Sequence, residues 1–185
     1  MLVLSLIDVI EAVNVAPICQ ALLAARVGDQ ITISMPHNKG GQIAATIDLV
    51  AAITQSKAKV TIEFDRYVIS AAAFLWLWFR LRPLEHVEVR TSGNPALLVY
   101  HRPRLPTPAG THYLFRDDLA DGHPLREMLL HNIQVFDDLF EELLTALGWS
   151  DDCDKCENLE GADFWHELCH LKRAYYSNRD CVIPA

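Results

Sequence analysis

Nowhere in the 185 residues is there a run of about 18 apolar residues free of charge, so a membrane-spanning helix is not expected. The apolar start, "MLVLSLIDVIEAVNVAP", lacks a basic leader and is interrupted by Asp8 and Glu11, which argues against a signal peptide. A block of lysine and arginine is also missing. With 16 basic against 24 acidic residues the net charge is −8, and phosphate binding needs clustered cations, so nucleic acid is not an expected partner. The five cysteines are an odd number and four of them follow residue 150, unlike a secreted disulfide framework. Reduced thiols and a cytoplasmic location are the expectation. Internal repeats and low-complexity segments are absent.

What is present is a chain with 51% apolar residues, long enough for one domain with a sizeable core. Residues 2–7 read as a buried strand. Asn14 then reads as the cap of a helix with Pro17 in its first turn and Gly28 at its end. "QITISM" is β-branched and alternating, hence a strand; "PHNKGGQ" reads as a loop; "IAATIDLVAAITQ" is a helix and "KVTIEF" a strand. "YVISAAAFLWLWF" is apolar nearly all round and reads as a buried helix. "HVEVR" and "ALLVYH" follow as strands. Such alternation predicts an α/β fold with parallel strands and right-handed crossovers. Residues 102–123 read as a long loop. Residues 125–147 read as a long amphipathic helix with an acidic face of Asp137, Asp138, Glu141 and Glu142, and a second helix is expected over 162–175.

In open α/β sheets, sites gather at the carboxyl ends of the strands. Three such ends carry chemistry. Gly40-Gly41 opens a helix, where free backbone N–H groups can hold a negative oxygen. Ser70 heads another helix, and His101 follows the last strand of the series. A hydroxyl, an imidazole and backbone donors are the parts of acyl transfer. Each also has a plainer reading. Serine is a preferred N-cap, glycine pairs make turns, and a lone histidine sits readily in a core.

The order "GG … SAAAF … YHRP" resembles the Clp protease proteolytic subunit, over roughly residues 2–180. "SAAAFL" matches that family's serine motif with Ala72 in place of glycine, and "YHRP" matches its His-Gln-Pro with Arg102 in place of glutamine. The resemblance implies a ClpP/crotonase-like fold, a single domain over 1–185 of stacked βαβ units with a long C-terminal handle helix. It implies a serine peptidase acting on peptides or unfolded polypeptides, with Ser70 as nucleophile, His101 as general base, and Asp163 fixing the imidazole. The backbone N–H groups of Gly41 and Ala71 would form the oxyanion hole, and no cofactor would be required. It also implies a homo-oligomeric ring joined through the handle helix. Departures from the pattern are Tyr67, Val68 and Ile69 where the family has small residues, and Lys39 beside the glycine pair. The chain also begins almost at its first strand, which counts against docking on a Clp-type ATPase. Two other classes stay open: a non-catalytic binding or scaffold relative, and a crotonase-like enzyme acting on acyl-CoA.

A separate constellation lies near the C-terminus. Cys153, Cys156, His166 and His170, with Cys169 as an alternative, follow a C-x2-C-x9-H-x3-H spacing that suits a structural zinc. Unpaired cysteines and solvated histidines are the plainer reading.

Overall fold

Segments of alternating β-branched residues lay down a mostly parallel sheet. In this computed structural model, residues 1–93, 95–107, 112–149 and 164–184 are described, the side chains of 164–167 and 184 excepted. The chain divides into two compact units, Met1–Tyr100 with Val182–Ala185, and His101–Cys181. Among the described residues there are five α-helices, none long and apolar enough to cross a membrane.

The first unit runs β1 (Leu2–Ser5), β2 (Asp8–Ile10), α1 (Ala12–Ala24), β3 (Gln30–Gly41), α2 (Ile43–Gln55), β4 (Lys59–Ile69), α3 (Ala71–Leu81), β5 (Val87–Thr91) and β6 (Leu97–Tyr100). Strand order is β1-β3-β4-β6-β9, with β2 also on β3 and β5 also on β4; β9 is Cys181–Pro184. β1, β2 and β4 all run parallel to β3, and β5 and β6 run parallel to β4. The carboxyl ends of these strands therefore share one rim of the sheet. The core is built from Ile31, Ile33, Met35, Val60, Ile62 and Phe64 of the two central strands, all buried. α3 is buried from Ala71 to Leu77 and again at Phe79, as its all-round apolar sequence requires. Each large side chain it removes from water contributes about 1.5–3 kcal/mol.

Several expectations need correction. "PHNKGG" is not a loop: β3 continues through it to Gly41. Pro36 offers no N–H, and the chain accommodates it where the pairing of β3 with β4 shifts register between Met35 and His37. Tyr67, Val68 and Ile69 belong to β4, not to the helix, which starts only at Ala71. β1 lies at an edge of the sheet with Leu2 and Val3 exposed, so it is not buried. Asn14 is inside α1 and caps it from there, its Oδ1 accepting from the Glu11 N–H at 2.9 Å. Pro17 is interior to α1; the carbonyl it leaves without a donor belongs to exposed Val13, which water can serve. That helix ends at Ala24, and Gly28 instead makes the turn into β3 with φ +95°.

The second unit carries β7 (Leu105–Pro106) paired antiparallel with β8 (Tyr113–Leu114), where a plain loop was expected. A short 3-10 turn at Arg116–Asp118 follows, then α4 (Pro124–Ala146) and α5 (Phe164–Tyr176). Pro124 opens α4 behind His123, whose side chain accepts from the Leu125 N–H. Leu129, Phe136, Leu139, Phe140, Leu143 and Leu144 form its buried stripe. The expected solvated acidic face is partly engaged. Asp137 binds Arg102, and Glu141 binds Lys172 at 3.1 Å and the Tyr176 hydroxyl. Phe140 stacks on Tyr175 at 3.8 Å between ring centroids, and both are fully buried. Phe140→Ala is expected to cost about 3–5 kcal/mol, read as a lowered midpoint in urea unfolding.

Candidate active site

In the first unit the rim of the sheet draws β3 and β4 together at their ends. Gly40 has φ +84°, and a Cβ there would stand 2.6 Å from the Ile69 carbonyl oxygen, 2.7 Å from Ser70 Cβ and 2.9 Å from the Ala71 nitrogen. Two of these are backbone atoms of the β4–α3 corner, so only glycine fits. Gly41, at φ +147°, would drive a Cβ to 2.2 Å from the Ile10 carbonyl oxygen of β2.

Asn38 holds this arrangement. It is fully buried; its Oδ1 accepts from the Gly40 N–H at 2.8 Å and its Nδ2 donates to the Leu6 carbonyl at 2.9 Å. Beside it His37 Nε2 and Asp8 Oδ1 are 2.9 Å apart, tying β2 to β3. The Gly40 N–H is thus committed within the fold. On β2, Ile10 faces Gly41 and its carbonyl accepts from the Gln42 N–H at 2.8 Å. Gly41 itself, at the end of β3, is exposed.

Ser70 stands between the last residue of β4 and the first of α3. Its N–H donates to the Val99 carbonyl at 2.9 Å, and its carbonyl accepts from the Phe74 N–H at 2.8 Å. Both backbone groups are therefore satisfied, yet the backbone has φ +57° and ψ −122° and the side chain makes no cap hydrogen bond. A non-glycine residue in so sparse a region costs on the order of 1–3 kcal/mol. The capping explanation fails, because a cap has extended backbone and a bonded hydroxyl. Ala71, Ala72 and Ala73 are fully buried, and as the first turn of α3 their N–H groups have no partner within the helix. A half-buried hydroxyl thus sits at the positive end of an 11-residue helix.

In the second unit His101 is 5% exposed. Its Nδ1 lies 2.8 Å from the Arg102 carbonyl oxygen. A carbonyl only accepts, so Nδ1 carries the proton and Nε2 keeps its lone pair. Burial pushes the imidazole pKa below its usual value; the bond to the Arg102 carbonyl opposes this, Arg104 adds to it and Asp180 opposes it. The ring is therefore neutral at pH 7, the state a general base needs. Arg102 itself is clamped by Asp137 through two bonds, at 2.9 and 2.5 Å, and lies 4.6 Å from the Tyr176 ring centroid.

The structure thus brings Gly40, Gly41, Ser70 and Ala71 together in the first unit, and His101 opens the second. Asp163 lies outside the described residues, as do Cys153 and Cys156 and the side chain of His166. His170 is exposed on α5. Cys169 is buried there and disulfide-bonded, so it is not a spare thiolate, contrary to the reduced state expected of it. Among the described residues no group of three or more histidine, cysteine, aspartate or glutamate side chains is placed to hold a metal ion. Asn38 escaped the sequence reading because 36–42 looked like a loop, and plain alternation from Ile31, Ile33 and Met35 would have turned His37 inward; the register shift between Met35 and His37 turns Asn38 inward instead.

Two outcomes follow. Ser70→Gly is expected to raise stability by about 1 kcal/mol and Ser70→Ala to leave it nearly unchanged, measured by urea unfolding; a capping serine would give a loss of about 1 kcal/mol for alanine. For His101, the unfolded chain takes up a proton near the ordinary value of 6.5 and the folded chain only at lower pH. Stability is therefore intact above about 6.5 and declines as pH falls through it, and His101→Gln is expected to flatten that decline in pH-dependent unfolding.

Compared with known proteins, the chain matches no family model and no curated sequence.

Proposed function

We propose that the chain is a serine hydrolase of the Clp-protease/crotonase type that cleaves peptides or unfolded polypeptides. The observation that carries the reading is the backbone of Ser70, a non-glycine residue at φ +57° whose hydroxyl caps nothing. Strand-to-helix corners of this strained kind present a nucleophile at the rim of a sheet.

In this reading Ser70 Oγ attacks the scissile carbonyl carbon while its proton passes to His101 Nε2. The resulting oxyanion is held by the N–H groups of Gly41 and Ala71, each such donor being worth about 3 kcal/mol in the transition state. The proton then goes to the departing amine, leaving an acyl group on Ser70. Water, deprotonated in turn by His101, releases the acid. The tautomer that Asp163 would fix in a triad is fixed by the Arg102 carbonyl. Assembly into rings through α4 belongs to the same proposal. Leu125 and Met128, half-exposed on its first turns, are the apolar surface available for it.

A fluorophosphonate probe is expected to label the protein at Ser70. Ser70→Ala abolishes labelling, and His101→Ala slows it by about 10²–10⁴-fold. A folded protein that takes no label removes the hydrolase. Oligomerisation without labelling would then favour a scaffold, and binding of CoA that is indifferent to His101→Ala would favour a crotonase-like enzyme.

A further inference from the structure

β1 is the outermost strand on its side of the sheet. β3 pairs with one side of it, and among the described residues no strand pairs with the other. The Leu6 N–H donates to the Ser34 carbonyl at 2.9 Å, and the Leu6 carbonyl accepts from Asn38 Nδ2. Residues alternate along a strand, so Leu2 and Leu4 also turn their backbone groups toward β3, and Val3 and Ser5 turn theirs away. Native edges of this kind are commonly protected by lysine, proline or a bulge, and β1 has none of these. Met1, Leu2, Val3 and Ile7 are all exposed along it. α1 continues the same surface. Met1 and Leu2 line one groove of about 640 Å³ with Ala21, Ala24 and Ile31. Val13, Pro17, Ala21 and Ala24 fall on one flank of the helix, all exposed except the half-buried Ala21. None of the 4 residues of β1 or the 13 of α1 is charged, in a chain that is 22% charged.

We propose that this edge and flank bind a second copy of the chain, through antiparallel pairing of β1 with its own counterpart across a two-fold axis. Charge selects the occupant. A chain of net charge −8 repels its own copies, and an uncharged face is where two of them meet without opposing like charges. The free backbone groups select the register. In an antiparallel pair, residues that turn their N–H and C=O outward face one another. The register that uses both outward residues sets Val3 against Ser5 of the second copy and Ser5 against its Val3, four main-chain bonds in all. Leu4 then faces its counterpart on the axis, and Leu2 faces Leu6 of the second copy. Asp8, the first charged residue after β1, lies beyond the paired stretch and does not meet its counterpart. The flank measures roughly 20 Å by 20 Å, which sets the expected association in the micromolar range rather than as an obligate dimer. The proposal is independent of the hydrolase reading and of assembly through α4.

The test is the mass of the full chain in solution, followed by analytical ultracentrifugation up to about 100 μM, well above a micromolar dissociation constant. Val3→Pro removes an N–H that β3 does not use and leaves the β1–β3 ladder whole. It is expected to weaken the association by about 10- to 100-fold, halving the mass at intermediate concentration, with little change in the urea midpoint. Leu125→Lys and Met128→Lys on α4 do not dissociate the β1 pair. Leu4→Cys is expected to cross-link two copies on mild oxidation, because facing residues without mutual main-chain bonds have Cα atoms about 4.5 Å apart, within reach of a disulfide. Val3→Cys, diagonal to its counterpart, cross-links more slowly. A parent chain that is monomeric throughout, or a mass that Val3→Pro leaves unchanged, overturns the interface. So does cross-linking of Leu4→Cys no faster than that of the parent chain or of Val3→Cys. Where Val3→Pro does not fold, the two cysteine variants decide alone.

Discussion

The close approach of the Gly40 backbone to the Ile69–Ser70–Ala71 corner is the contact on which the first unit's site depends. It exists only because residue 40 has no side chain. A methyl group there would overlap two backbone atoms, and backbone cannot swing aside as the tip of a long side chain can. Asn38 secures the approach from within. One buried amide accepts from Gly40 and donates to Leu6, so the strand end cannot drift without leaving buried polar groups unpaired. Such a loss costs about 1–3 kcal/mol per group. The position of the glycine pair relative to Ser70 is thereby a consequence of packing rather than of loop conformation.

The second unit solves a different problem, how to hold a buried imidazole in one protonation state. Hydrocarbon surroundings favour the neutral ring, and a main-chain carbonyl selects which nitrogen bears the proton. Arg102 supplies that carbonyl, and its side chain is locked to α4 through Asp137. The residue after His101 is thus tied to a long helix. Glu141, one turn further along α4, engages Lys172 and Tyr176 of α5. Burial and this contact together push the Tyr176 hydroxyl well above its ordinary pKa, so it donates to Glu141 across the neutral range. The acidic stripe of α4 fastens elements of its own unit rather than merely meeting water.

Much of this was legible in the sequence where side-chain chemistry and backbone preference agree. The β-branched segments became parallel strands, the apolar stripe of 125–147 became α4, and Ser70, Gly41 and His101 stand directly at or after strand ends. The reading failed where the two disagree. Residues 36–41 carry proline, lysine and two glycines, the composition of a loop, yet the ladders on both sides of β3 hold them extended. β2 is three residues long and could not be separated from the helix that follows it. Tyr67–Ile69 are apolar and continuous with the alanines of α3, so periodicity alone could not place the break at Ser70. The partners of Asp137 and Glu141 are 30 or more residues distant, and a charged helix face looks solvated until those partners are known.

The choice of serine at position 70 follows from setting the strain beside the chemistry. Conformational preference alone favours glycine there, since glycine reaches φ +57° without penalty. Core packing gives no reason for a hydroxymethyl group either, because the residue is only half-buried and the alanines behind it fill the interior. Hydrogen bonding gives none, because the hydroxyl does not cap α3 and both backbone groups of the residue are already paired. The fold therefore carries a cost of about 1–3 kcal/mol at a residue whose hydroxyl makes no cap bond. What remains is a hydroxyl at the N-terminus of α3, next to the close approach of Gly40, held in a strained backbone that neither capping nor packing explains.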